Sequence, residues 1–408
     1  MKNVDVIMSA SLDSSIGPVQ TIKRIKNSAS WFAERGYSIS VFTNDAFAST
    51  KEDEFKKKHK GGILLSIAVR VAKYLSLHTK WYPRNRIKII ENLSKRVLDY
   101  YDSLHRHPDI TVFHSIDDCY EYLLHHRIHG VKTICFHHTD GSEEGNKMLL
   151  VYFPKLKGTA DEKKIDEKIL YTVTNIDALA CITKIEIQNM LGLYPMLAGK
   201  IYSVVNGISD LSEEQLEETR IIRSKTFEKK YRFVSVGSMN GRKGHIEIVE
   251  AVHRMKPEIR REVSVSFVGG GRDEAKLQQL VNDYGLQDIF NFVGIVPNEE
   301  VYKYQAQGNI CILISKIEGL PQGLIEGLRS GLALISTNVS GIPELIDEGV
   351  NGRLISYDLD ELVDVFNHLD KYDWDEMGKQ SRKKFEDYYN FPRMRNDYLK
   401  MLNEVSNS

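Results

Sequence analysis

The chain has 408 residues, more than a single hydrophobic core fills comfortably, so two domains of roughly 200 residues are the default. Apolar residues at 42% and charged residues at 27% exclude an intrinsically disordered chain. A formal net charge of −1 excludes a nucleic-acid binder working by bulk electrostatics, so any attraction to phosphate has to come from local clusters.

Cys119, Cys135, Cys181 and Cys311 form no CxxC pair, and three of them lie in apolar runs. That pattern is expected of reduced core thiols in a cytosolic protein. The opening MKNVDVIM passes straight into a short apolar run without a signal-peptide core. The stretch 61–77 contains Arg70 and Lys73 and falls short of the ~20 apolar residues of a spanning helix. A cytoplasmic location is expected, with the inner face of the plasma membrane as a peripheral site.

In chain order, β-branched runs at 4–7, 39–42, 111–114, 133–136, 179–182 and 202–205 are predicted strands in the first half. The second half has them at 233–236, 263–268, 289–293, 310–314, 333–336 and 353–355. Strands separated by helix-length segments imply βαβ units and parallel sheets covered on both faces. Two such series predict two Rossmann-like, doubly wound domains, 1–205 and 206–390, and the stretch 391–408 is predicted to be an amphipathic helix. The charged segment 206–231, carrying LSEEQLEE and RSKTFEKK, has no strand pattern and opens the second domain.

Ligands of open α/β sheets bind beyond the carboxyl ends of strands, so the loops there hold the candidate chemistry. After residue 136 comes His137-His138-Thr-Asp140. His137 and His138 are both candidates at this strand end, and a purely structural histidine is the alternative. After residue 236 comes Gly237-Ser238-Met-Asn-Gly241-Arg242-Lys243-Gly244, a glycine-rich turn ending in two cations. It suits a pyrophosphate leaving group whose developing charge needs neutralising; a solvated basic turn is the alternative. The turn Gly269-Gly-Gly271-Arg-Asp-Glu274 fails the dinucleotide pattern GxGxxG at Glu274.

The densest signal is Glu318-Gly-Leu-Pro-Gln-Gly-Leu-Ile-Glu326, a strand-to-helix turn. Gly319 and Gly323 admit a close backbone approach, and Pro321 suits a loop or first helical turn. The amides of Leu320, Gln322, Gly323 and Leu324 would leave the helix N-terminus open to anions and hydroxyls. The plainer alternative makes Glu318 a solvated loop acid and Glu326 a helix-dipole partner.

No CxxC and no HExxH marks a metal, and none is expected. Asp358-Leu-Asp360 and Asp373-Trp-Asp375 precede helices, which makes them caps rather than metal ligands. No cofactor is expected. The basic stretch 56–96 carries KKKHK, an apolar helical stripe, Trp81 and Tyr82. It suits anionic lipid headgroups, with a core helix and solvated charges as the equal alternative.

The Glu318-x7-Glu326 segment resembles the signature of the retaining glycosyltransferases of GT-B architecture, often called family 4. Gly341-Ile-Pro-Glu344, Asn351-Gly352 and the earlier Asn206-Gly207 are similar to that family in order and spacing. The resemblance is dense over 200–390 and thin before it. It implies two Rossmann-like domains facing across a cleft, a final helix over 391–408 that packs back on the first of them, and transfer of a sugar from a nucleoside-diphosphate donor, UDP first. The acceptor would be a glycan or a lipid-linked glycan, as in surface polysaccharide assembly. By resemblance, Glu326 binds the donor ribose and Glu318 contacts the transferred sugar near the reacting centre. Amides from Leu320 to Leu324 hold sugar hydroxyls and phosphate, Val296 lies in the base-facing loop, and His137 lies near the donor sugar, with His138 the fallback. Gly17 stands where the family has two adjacent glycines. Ser238 stands where it usually has Arg, with Arg242 the candidate replacement beside Lys243. These departures keep open a non-catalytic partner subunit of an active transferase, and a nucleotide-sugar epimerase of the same architecture is the other alternative.

Overall fold

The structure, a computed structural model, describes residues 1–14, 17–47, 78–225 and 227–408. Of the basic stretch 56–96, the part up to residue 77 lies outside the described residues. The chain divides into two units, Met1–Val204 with Arg395–Ser408, and Val205–Met394.

The first unit is built on β1 (Lys2–Met8), β2 (Tyr37–Thr43), β3 (Ile110–Phe113), β4 (Lys132–Phe136), β5 (Ala178–Cys181) and β6 (Ile201–Ser203). They pair in the order β2-β1-β3-β4-β5-β6, all parallel. The central strands β3 and β5 are buried at every residue, because covering layers on both faces leave no solvent side for polar alternation. The edge strand β2 is fully buried only at its two ends. Helices α1 (Gly17–Asn27), α2 (Trp81–Ser103) and α3 (Lys184–Leu193) belong to this unit. Asp5 is wholly buried in β1, where Arg106 Nη2 at 2.9 Å and the Tyr101 hydroxyl at 2.8 Å satisfy its carboxylate. The Tyr101 bond ties α2 to the sheet.

The second unit is built on β7 (Tyr231–Val236), β8 (Val263–Val268), β9 (Phe290–Gly294), β10 (Ile310–Leu313), β11 (Ala333–Thr337) and β12 (Gly352–Ile355). Their order is β12-β11-β10-β7-β8-β9, again all parallel. Strand order reverses between β7 and β10, the switch point where open α/β sheets take their ligands. Helices α4 (His245–Arg254) and α5 (Gln322–Arg329) follow these two strands. Both units are therefore doubly wound Rossmann-like sheets. Each of the twelve predicted strands is present, with ends shifted by at most two residues.

The last helix, α6 (Phe391–Asn407), belongs to the first unit from Arg395 onward. Tyr398, fully buried, stacks on Phe136 at 5.3 Å and meets Phe32 edge-on at 5.8 Å. Its hydroxyl is buried without a hydrogen-bond partner among the described residues. Tyr398→Ala is therefore expected to destabilise the first unit by about 3–5 kcal/mol. Tyr398→Phe, which removes only the unsatisfied hydroxyl, should leave stability unchanged or raise it. Thermal unfolding of the two variants checks both.

Candidate functional site

In the second unit the loops after β7 and β10 form one cluster. Gly244 adopts a left-handed φ of 68° and sits so tightly on the end of β10 that a Cβ there would lie 1.8 Å from the Ile314 carbonyl oxygen. The Lys316 amide donates to the Arg242 carbonyl at 3.0 Å, which laces the two loops together. Gly244→Ala combines a disfavoured φ with a backbone clash and is expected to cost at least about 1–3 kcal/mol, read as a lowered thermal midpoint.

That junction brings Arg242 and Lys243 onto Glu318. Arg242 Nη1 lies 2.6 Å and Lys243 Nζ 2.5 Å from Glu318 Oε1, and Ser315 Oγ donates to the same oxygen at 3.0 Å. Arg242 also donates to the Ile317 carbonyl at 2.5 Å, and the Glu318 amide donates to Ser340 Oγ at 3.1 Å. The three side chains are only 17%, 13% and 8% exposed. Burial alone raises the Glu318 carboxyl, but the Lys243 ammonium and Arg242 guanidinium more than reverse this and hold it below the usual glutamate value. Lys243 is lowered, because burial outweighs the attraction of Glu318 and Arg242 adds repulsion. Glu318 is thus no solvated loop acid, and Arg242 and Lys243 form no solvated basic turn. One carboxylate faces two buried cations, leaving a net positive site.

Helix α5 begins beside this cluster. Pro321 is its N-cap, with φ −68° and ψ 117°. The Leu324 amide donates to the Pro321 carbonyl at 3.1 Å. This corrects the expectation that Leu324 offers an open amide: the tight first turn consumes it, and Gln322 and Gly323 are the positions whose amides such a turn leaves open. Leu320 and Pro321 are buried, and Gln322 Nε2 is buried without a partner among the described residues. Gly323 packs on the end of β7, where a Cβ would lie 2.7 Å from the Val236 carbonyl oxygen. Glu326 sits one turn beyond Gln322, half-buried, and its charge joins burial in pushing the Cys311 thiol up to about 12.

Ser238 Oγ accepts from Asn240 Nδ2 at 2.9 Å, so it helps shape the turn. The loops after β8 and β9 lie alongside. Gly269 donates to Gly294 at 2.8 Å, Ile295 is 86% exposed, and Val296 is half-buried next to it. His245, first in α4, is buried with both ring nitrogens unpartnered among the described residues. Burial, helped by the Lys243 charge, lowers it to about 4.

In the first unit His137 follows β4, and its amide continues the ladder to the Ala180 carbonyl at 2.9 Å. Its Nδ1 lies 2.6 Å from Glu186 Oε1, both residues being buried. His138 Nε2 instead meets His114 Nδ1 at 3.0 Å, and His114 stacks on Phe136 at 4.3 Å. Burial and the neighbouring His137 lower His138 to about 3, so it stays neutral. Glu186 was not among the sequence candidates. Its signal, Thr183-Lys-Ile-Glu186, is a capping-box pattern, and Thr183 does accept from the Glu186 amide at 3.1 Å. Gly17 opens α1 ahead of Pro18 and is half-buried. The two residues before it lie outside the described ones.

Asp358 and Asp373 accept from the Glu361 and Glu376 amides and cap the following helices. Of the basic stretch, Trp81 is 66% exposed, Tyr82 packs against Phe153 and Arg84 pairs with Asp161 at 2.8 Å. No helix of the described residues is long and apolar enough to cross a membrane.

Residues 217–384 match the family described as glycosyl transferases group 1, a span that contains Arg242, Lys243, Glu318 and Glu326. The amylovoran biosynthesis glycosyltransferase AmsK of Erwinia amylovora is 33% identical over 129 residues, 30% of this chain and 31% of that protein. The phosphatidylinositol N-acetylglucosaminyltransferase GPI3 subunit of Saccharomyces cerevisiae is 25% identical over 284 residues, 68% of this chain and 57% of that protein. The chain thus spans less than two thirds of the length of these relatives. Among solved structures, Anabaena HepE in complex with UDP superposes with a TM-score of 0.67 at 12% identity, covering 99% of this chain and 100% of that one. A likeness at that identity speaks for the fold, the GT-B glycosyltransferase fold of two Rossmann-like sheets. Residues 217–384 are thus similar to the glycosyl transferases group 1 family, and the fold of the whole chain is that of GT-B glycosyltransferases.

Proposed function

We propose that this protein is a retaining glycosyltransferase that moves a sugar from a nucleoside-diphosphate donor, UDP-sugars first, to a glycan or lipid-linked glycan acceptor. The observation that carries the reading is the buried pair Arg242–Lys243 on Glu318, set where strand order reverses between β7 and β10. A diphosphate leaving group needs preorganised cations in a water-poor site, because charge develops there as the glycosidic bond breaks. The names of the relatives support the chemistry: AmsK is an amylovoran biosynthesis glycosyltransferase, GPI3 a subunit of a phosphatidylinositol N-acetylglucosaminyltransferase, and HepE is in complex with UDP.

In this reading Lys243 and Arg242 bind the diphosphate with the amides of Gln322 and Gly323. Leu320, Pro321 and Leu324 shape the turn that presents those amides, and Ser238 shapes the opposite loop. Glu326 binds the ribose hydroxyls and Val296 lies by the base. Glu318 stands near the reacting centre, His137 contacts hydroxyls of a sugar, and Gly17 lines the first unit's ligand loop. With Arg242 in the pocket, the arginine missing at Ser238 no longer argues for a catalytically silent partner subunit. We place the protein in the cytoplasm, with its basic stretch 56–96 meeting an anionic membrane surface.

A thermal-shift screen of nucleotide sugars tests the reading, since a matching donor at a hundred times its Kd stabilises by about 2.7 kcal/mol. No stabilisation by any nucleoside diphosphate or nucleotide sugar contradicts it. Because protein cations take the neutralising role, transfer should proceed undiminished in excess EDTA; loss of turnover restored by a divalent ion would overturn the metal-free assignment.

A further inference from the structure

His137 is held in a way that gives a second residue a function. Glu186 lies in the first turn of α3, a position where acids usually stay solvated and favour the helix dipole. Here its side chain is 0% exposed. Its Oε1 meets His137 Nδ1 at 2.6 Å, and its Oε2 accepts from the Ile182 amide at 2.6 Å. The loop that carries His137 returns over the same turn. At Gly141, φ 69°, a Cβ would lie 2.7 Å from the Glu186 carbonyl oxygen, so no side chain fits between loop and helix. Taking a carboxylate out of water costs several kcal/mol unless both oxygens are occupied. Both are, and one of them is spent on the imidazole.

We propose that Glu186 is the positioning residue of His137: it fixes the ring through Nδ1–H, so that Nε2 is presented as a hydrogen-bond acceptor for a sugar hydroxyl. With both carboxylate oxygens accepting, the Nδ1 proton is the donor, and the lone pair is left on Nε2. The neighbour of Nε2 within the first unit is Thr139 Oγ1 at 3.4 Å, a long contact that a substrate hydroxyl replaces at shorter range. His138 commits its own Nε2 to His114 at 3.0 Å instead. The inference rests on the sugar contact assigned to His137 above.

Glu186→Gln is the discriminating change. A glutamine offers one acceptor and one donor where the site needs two acceptors. With its oxygen on the Ile182 amide, its NH2 faces Nδ1 and drives the proton to Nε2. Long-range ¹H–¹⁵N spectra of histidine-labelled full-length protein, assigned with His137→Ala, should show the Nδ1–H tautomer in the wild type and its loss in Glu186→Gln. With the donor that the thermal screen selects, or UDP-glucose hydrolysis where none stands out, kcat should fall about 10–100-fold with little change in KM. His137→Ala should fall at least as far, and the double variant no further. A flipped tautomer with full kcat, or an unchanged Nδ1–H signal in Glu186→Gln, overturns the positioning role. Full kcat in both His137→Ala and Glu186→Gln overturns instead the contact assigned to His137. Where Glu186→Gln unfolds, Glu186→Asp, which keeps two acceptors on a shorter stem, should weaken the Nδ1–H signal and kcat together; wild-type values of both contradict the inference.

Discussion

Lys243→Met is expected to lower kcat/KM by about 10²–10³-fold, the usual cost of removing one preorganised group that stabilises developing charge. The fold should survive. Without Lys243 the cluster becomes a one-to-one pair of Arg242 and Glu318, still 2.6 Å apart and joined by Ser315. Lys243 is also the cation whose ammonium form burial disfavours, so losing it relieves desolvation in the empty protein. Activity and stability therefore part company: turnover collapses while the thermal midpoint holds or rises. Arg242→Met is the less clean experiment, because Arg242 also holds the Ile317 carbonyl and its loss loosens the loop itself. A midpoint that falls with activity in Lys243→Met would mean the lysine serves the fold rather than the leaving group.

Glu318→Gln is expected to lower kcat by orders of magnitude while tightening the binding of UDP. The carboxylate neutralises one of two buried cations, and removing it raises the local charge that a diphosphate meets. An affinity gain of roughly tenfold corresponds to about 1.4 kcal/mol. In the empty protein the same change leaves Arg242 and Lys243 facing each other with no counter-charge, at a cost of about 1–3 kcal/mol. UDP supplies the missing charge, so the midpoint shift on adding UDP should exceed that of the wild type. The pH dependence has a definite sign. Glu318 is held below the ordinary glutamate value, so its stabilisation is complete above that value and is lost only as pH falls through the lower folded pKa. Wild-type stability should therefore fall more between pH 5 and strong acid than that of Glu318→Gln. Undiminished turnover in Glu318→Gln or Glu326→Ala would remove the assigned site.

The strands were legible because parallel strands are written as short runs rich in β-branched and other apolar residues, such as FVSV in β7 and ICIL in β10. Strand order was not legible, since no residue in those runs records that β7 sits between β8 and β10. For the same reason the sequence could name Lys243 and Glu318, 75 positions apart, but not the 2.5 Å contact between them. Only pairing through the sheet brings the two loops together. Gly244 carried a hint, since a glycine before a helix marks a tight approach, yet its partner, the Ile314 carbonyl, is long-range. Glu186 escaped because its pattern is that of an ordinary cap, and what distinguishes it is burial against His137. Leu324 failed as an open amide for a local reason: Pro321 leads a turn tight enough to bond it.

Calorimetric titration of UDP into the wild type, Lys243→Met and Glu318→Gln bears most directly on whether two cations and one acid form a diphosphate pocket. The account requires the affinities to rank Glu318→Gln at or above wild type, and wild type about tenfold or more above Lys243→Met. Equal affinities across the three proteins, or no heat from UDP, GDP or ADP with the wild type, would place the diphosphate elsewhere or nowhere.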